Sequence, residues 1–168
     1  MSAGTAGPNP PRRLPLYGVD TMLFVYHFEG NERFGPAAGR LLQAAEDGRC
    51  RLVASVLALL EALVVPKRHG RDDLCQRYRD LFESFPNLSL LPVEREVVEI
   101  ASDLRARHDL RTPDALHLAT AIHSGAEAFV SEDRRLRAVQ GVRAVDLETI
   151  IGQLGIRRPG VGGEGEEE

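Results

Sequence analysis

Apolar residues in this chain occur in two spacings, and the alternation between them predicts its organisation. Short blocks in which nearly every position is apolar read as buried strands, whereas longer stretches with apolar positions three and four apart read as helices. "LYGVD" (16–20) is a strand block running into the short helical stretch "TMLFVYHF". "PAAGRLLQAAEDG" reads as an amphipathic helix closed by Gly48. "RLVAS" (51–55) is a second strand, and Ser55 is placed to cap the helix "VLALLEALVVP", which Pro66 is expected to end. A helix over 70–84, a short strand at "LSLLPV" and a helix from Glu94 to Arg107 follow.

The stretch "RTPDALHL" (111–118) opens another helix, with Thr112 as the expected N-cap, Pro113 at the first helical position and Asp114 facing the positive end of the macrodipole. "AEAFVS" (126–131) is a further strand, "DRRLRAV" a short helix, and "VRAVDL" (142–147) the last strand. Strands separated by helices imply an α/β fold with a parallel sheet covered on both faces. Residues 1–15, rich in Pro and Gly, and the Gly/Glu-rich end are expected to be disordered. This leaves one domain over 16–150 and a C-terminal segment, 151–168, that ends in an acidic tail.

Composition narrows the classes. With 43% hydrophobic and 27% charged residues the chain is neither a disordered polymer nor a coiled coil. Its longest apolar run, "VLALLEALVVP", is too short to cross a bilayer and contains Glu61, so no membrane segment is expected. No secretory signal is read at the N-terminus, and Cys50 and Cys75 form no metal-type pair, so a cytoplasmic protein with inert thiols is expected. The formal charge of −4 reflects the tail residues Glu164, Glu166, Glu167 and Glu168; the body is close to neutral, which leaves nucleic acid open as a partner. The sole lysine, Lys67, sits in the loop-like "PKRHGRDD". That placement excludes a Walker A phosphate loop and argues against lysine-dependent phosphatases.

In parallel sheets ligands bind outside the carboxyl ends of the strands. Asp20 ends the first strand and Asp133 lies two residues beyond "AFVS", so both are expected at that rim. Asp114 starts the helix leading into the second of these strands, which places it at the same edge. Glu61 is the only polar residue between Val56 and Val65. A helix apolar all round is buried, so this glutamate either binds a cation or is accounted for more simply, by reaching solvent or by a salt bridge to an arginine. Four converging carboxylates repel one another unless a divalent ion holds them ionised, and hard oxygen ligands favour Mg²⁺ or Mn²⁺. Metal-assisted phosphodiester hydrolysis is the chemistry this pattern points to.

Taken together, "GVDTMLFVY", "ASVLALLEALVVP", "RTPDALHLATA" and "AFVSEDRRL" resemble a PIN-domain ribonuclease, and most of all the VapC-type toxins of bacterial toxin–antitoxin pairs. The resemblance covers roughly residues 16–147. It implies a Rossmann-like three-layer α/β/α fold with a central parallel sheet, an Mg²⁺- or Mn²⁺-dependent endoribonuclease activity on an RNA substrate, and a cognate antitoxin as partner. By motif it gives Asp20, Glu61, Asp114 and Asp133 as the catalytic and metal-binding acids, with Thr21 and Ser131 supporting them. One departure is Met22, where the family frequently has asparagine. That leaves a catalytically degenerate PIN-like binding module as the alternative, and a Mg²⁺-dependent phosphatase of another α/β fold as a third reading.

Arg134, Arg135 and Arg68 are candidate RNA-phosphate contacts, against the simpler reading of a solvated helix face. His117, one turn after Asp114, reads as a packing histidine rather than a metal ligand, because no second imidazole converges on it. The apolar helix around Glu61 is also a candidate surface for a homodimer or an antitoxin.

Overall fold

The computed structural model describes residues 13–156; the acidic tail and nearly all of the N-terminal extension expected to be disordered lie outside them. Five strands form one parallel sheet in the order β3-β2-β1-β4-β5. They are β1 (Leu16–Val19), β2 (Arg51–Ser55), β3 (Leu88–Leu91), β4 (Ala128–Val130) and β5 (Ala144–Val145). Gly18 of β1 is in register with Val53 on one side and Phe129 on the other.

Alternation along the strands divides the core. Tyr17, Val19, Leu52, Ala54, Ala128 and Val130 face one layer, built with α1 (Met22–Phe28), α2 (Gly35–Glu46), α4 (Asp72–Ser84) and α7 (Leu147–Gln153). Phe129 faces the other, with α5 (Arg95–Arg107), α6 (Thr112–His123) and the 3-10 helix Arg134–Ala138. The helix α3 (Leu57–Arg68) packs on α4 and β2. The result is the three-layer α/β/α arrangement that the resemblance implied.

Gly18 sets how closely α6 approaches the sheet. A Cβ there would lie 2.4 Å from Ala121 Cβ, so only a glycine at β1 lets α6 seat at its observed depth. That helix carries Asp114 and His117.

Several local expectations need correction. Pro66 does not end α3: the helix runs to Arg68, and Gly70, at φ +64°, follows its C-cap His69. A proline in the last turn removes only one ladder bond, and its ring is buried. Thr112 is not the cap of α6, because the Arg111 carbonyl accepts the first helical bond from Ala115 N–H, at 3.0 Å. Asp20 follows β1 rather than ending it. The expected strand "VRAVDL" shrinks to Ala144–Val145, because Asp146 caps a further helix, α7, by accepting from Thr149 N–H at 2.8 Å. This helix crosses residue 150 and buries Ile150 and Ile151 against the core. Nor is α3 buried all round: Val56, Leu60, Val64 and Val65 are exposed, with Leu60 at 62%.

Candidate functional site

The sheet order dictates where a ligand cleft forms. From β1 the chain winds outward through β2 and β3, then crosses back to place β4 and β5 on the other side of β1. The connections leaving β1 and β4 therefore diverge, and a crevice opens at the carboxyl ends of these two strands. A cleft of 380 Å³ lies there, bordered by Asp20 after β1, Ser131, Glu132 and Asp133 after β4, and Asp114 with Arg111 at the start of α6.

Asp20 is held from both sides. Its Oδ1 accepts from Met22 N–H at 3.0 Å and its Oδ2 from the Ser131 hydroxyl at 2.8 Å. The same hydroxyl accepts from Asp133 N–H at 3.2 Å, so Ser131 ties the loop after β4 to the acid after β1. Burial raises the Asp20 pKa; the Ser131 hydrogen bond, the nearby His117 ring and the amides of Met22 and Leu23 pull it partly back. Thr21 is buried, and among the described residues its hydroxyl oxygen has no hydrogen-bond partner.

Asp114 and Asp133 are each engaged by arginine. Arg111 Nε donates to Asp114 Oδ2 at 3.1 Å. Arg135 grips Asp133 through Nε and Nη2, the latter at 2.6 Å, while its backbone N–H donates to Asp133 Oδ1 at 3.0 Å and starts the 3-10 helix. Hydrogen bonding from Arg135 holds the Asp133 carboxyl below its ordinary pKa, outweighing burial, with a smaller contribution from Arg111. Two of the acids thus have guanidinium counterions, which relieve part of the repulsion among the carboxylates.

Glu61 reaches solvent and is paired with a histidine rather than an arginine. It does not border the cleft and is not sealed in an apolar helix; its side chain is 39% exposed. Its Oε1 lies 2.6 Å from Nε2 of His117, which is buried as expected of a packing residue but also bonds across to α3. Of the four expected acids, Asp20, Asp114 and Asp133 border one cleft, joined there by Glu132, while Glu61 is outside its lining. Among the described residues, no three His, Cys, Asp or Glu side chains come together closely enough to hold a metal ion.

The donor chemistry nonetheless fits a hard ion. Among the described residues no His or Cys borders the cleft and all its charged acceptors are carboxylate oxygens, and Mg²⁺ commonly binds through one or two carboxylates with waters completing its shell. The desolvated Asp20 carboxylate is the group such an ion would relieve most.

Of the candidate phosphate contacts, Arg135 is in direct contact with Asp133, and Arg134 is exposed beside it. Arg68 is not near the rim: α3 starts there and rises about 1.5 Å per residue, which carries its last residue to the opposite end of the helix. Arg111, Glu132, Tyr26 and Phe34, which also border the cleft, were not singled out by the sequence. Glu132 sits between Ser131 and Asp133, and its Oε1 accepts from Leu147 N–H at 2.9 Å. Its role as the anchor of an unexpected helix left no local signal. Both cysteines are free and buried, and burial pushes the Cys50 thiol up to about 11, in keeping with inert thiols.

Among solved structures, the chain is similar to VapBC2 from Rickettsia felis, solved bound to a DNA fragment from its promoter, with a TM-score of 0.63 at 15% identity, over 78% of this chain and 98% of that one. A toxin–antitoxin complex from Klebsiella pneumoniae matches at TM-score 0.59 and 20% identity, over 79% of this chain and 97% of that one. VapC20 of Mycobacterium tuberculosis, a Sarcin-Ricin loop cleaving toxin, matches at TM-score 0.59 and 18% identity, over 76% and 98%. These likenesses are likenesses of fold. No curated protein matches the chain significantly. The family model described as the PIN domain matches residues 17–142, well over half of the 168 residues. The chain belongs to the PIN domain family.

Proposed function

We propose that this protein is a metal-dependent endoribonuclease that acts as the toxin of a toxin–antitoxin pair. The observation that carries this reading is the Asp20 carboxylate, desolvated at the switch point between β1 and β4, in one cleft with Asp114 and Asp133. Desolvation at a cleft is how a protein prepares an acid for a cation or a proton-transfer role. Asp20, Asp114 and Asp133 would hold Mg²⁺ or Mn²⁺, and Glu61 would bind the ion or orient the attacking water. A bound ion of this kind supplies an activated water and neutralises charge developing on a phosphate.

The chain's own residues have separable tasks in this reading. Ser131 and the Met22 amide orient Asp20. Arg111 and Arg135 offset acidic charge that would repel an RNA backbone, and Arg134 and Arg135 can contact its phosphates. Tyr26 and Phe34, aromatic residues on the cleft wall, offer faces for bases to stack on.

The partner reading draws on the structural neighbours, which include toxin–antitoxin complexes, and on the exposed apolar flank of α3 at Val56, Leu60 and Val64, spaced one turn apart. Such a stripe suits an antitoxin helix or a second copy of the chain. No helix among the described residues is long and apolar enough to cross a membrane, and we place the protein in the cytoplasm.

Met22 keeps a second reading in view. Its side chain is on the cleft wall and offers no hard ligand, as in a PIN-like module that binds RNA or protein without cleaving. Substituting Asp20→Asn and Asp114→Asn separates the two. Loss of EDTA-sensitive RNA cleavage in both variants, with unchanged circular dichroism, supports the nuclease; full cleavage by both overturns it.

A further inference from the structure

We infer that His117 is a positioning residue, whose imidazole fixes the Glu61 carboxylate on the flank of the cleft. The inference rests on the metal-dependent reading above. The contact joins α6 to α3 across 56 residues of sequence, with Nε2 2.6 Å from Oε1. A carboxylate oxygen offers only lone pairs, so Nε2 carries the proton and donates. The other ring nitrogen, Nδ1, is buried and has no hydrogen-bond partner among the described residues. Among these residues the bond to Glu61 is therefore the only one the ring makes.

A purely structural role accounts poorly for this arrangement. His117 is buried, and an apolar side chain of similar size there would bury no unpaired nitrogen. Glu61 reaches solvent and needs no internal partner to be hydrated. What the bond does accomplish is to remove rotamer freedom from a flexible acid beside the cleft. The ring is also close enough to Asp20 to influence its carboxyl, and it shares a helix with Asp114, one turn away. Hydrogen bonds from outside the ligand shell that orient a carboxylate commonly govern metal affinity.

The test is Mn²⁺ titration by calorimetry on the full chain for wild type, His117→Leu, His117→Gln and His117→Asn, with thermal melts alongside. A glutamine amide reaches the place of Nε2; an asparagine amide does not. We expect His117→Leu and His117→Asn to weaken Mn²⁺ binding by about 10-fold or more, and His117→Gln to recover most of it. The melting temperature of His117→Leu should be no lower than that of His117→Gln. Binding by His117→Asn as tight as wild type, or by His117→Gln as weak as His117→Asn, overturns the positioning role, and this comparison stands even if His117→Leu fails to fold. Absence of Mn²⁺ binding by wild type overturns the metal-dependent reading and the inference with it, whereas intact wild-type binding unaffected by the substitutions overturns the inference alone.

Discussion

The Ser131 hydroxyl donates to Asp20 Oδ2 at 2.8 Å, bridging the loops that leave β4 and β1. This bond is the most direct link between the two halves of the cleft, and it opposes the rise in the Asp20 pKa caused by burial. Removing it with Ser131→Ala should raise the Asp20 pKa further. The carboxylate is then lost at a higher pH, so the acidic limb of the cleavage profile should move upward in pH. A pH–rate profile of the variant against wild type measures the shift, and an unmoved or lowered limb would refute the assignment.

Asp20 itself should cost stability. Its folded-state pKa is raised, so the ionised form opposes folding at neutral pH, and this penalty fades as pH falls through the folded pKa. Asp20→Asn should abolish cleavage while melting at or above the wild-type temperature at pH 7, by no more than ~1 kcal/mol. The advantage should shrink on acidification. Thermal melts at several pH values check both points.

The Asp133–Arg135 pair has the opposite sign. Asp133 is held below its ordinary value of 3.8, so its contribution to stability is present above that pH and is lost as pH falls through the lower folded value. Arg135→Ala should lower stability slightly at pH 7, and the difference from wild type should vanish in strong acid. Both residues reach solvent, so added salt should also narrow it.

Gly18→Ala should destabilise the fold by roughly 1–3 kcal/mol, the usual cost of overpacking. The added methyl meets Ala121 Cβ, so the double variant Gly18→Ala/Ala121→Gly should regain part of the loss. The recovery is limited because glycine inside a helix costs about 1 kcal/mol. Urea unfolding of the three variants measures the coupling.

On α3, Leu60→Glu should change stability by no more than about 0.5 kcal/mol, because the side chain already faces solvent. It should nevertheless weaken association with a second copy or an antitoxin. Sedimentation of the free chain and of the complex distinguishes the two partners.

Fold and rim were legible in the sequence because both depend on local patterns. "RLVAS" is β2 residue for residue, and the positions of Asp20 and Asp133 follow from where two strands stop. For Glu61 the sequence left burial and exposure open, because composition alone cannot say which flank of an apolar helix meets the core. Here a flank of α3 is left uncovered, and the glutamate sits at its margin. The pairing of Glu61 with His117 joins residues 56 apart, and neither local segment hints at it. α7 was overlooked because Asp146 ends one apolar block and caps the next, so "VRAVDL" ran together as a single strand. The arginines on Asp114 and Asp133 are local partners, three and two residues away respectively, yet in a chain this rich in arginine proximity in sequence did not distinguish counterion from solvated surface.

The order β3-β2-β1-β4-β5 has a consequence for the chain as it is synthesised. Asp20 emerges early, but the strand that completes its surroundings, and the serine that orients it, lie 111 residues later. A chain made only as far as α6 carries Asp20 and Asp114 but lacks Ser131, Glu132 and Asp133, which border the same crevice. An activity lodged there is timed by topology: it cannot begin on a partly made chain, and any fragment ending before Asp133 should be inert however well it folds.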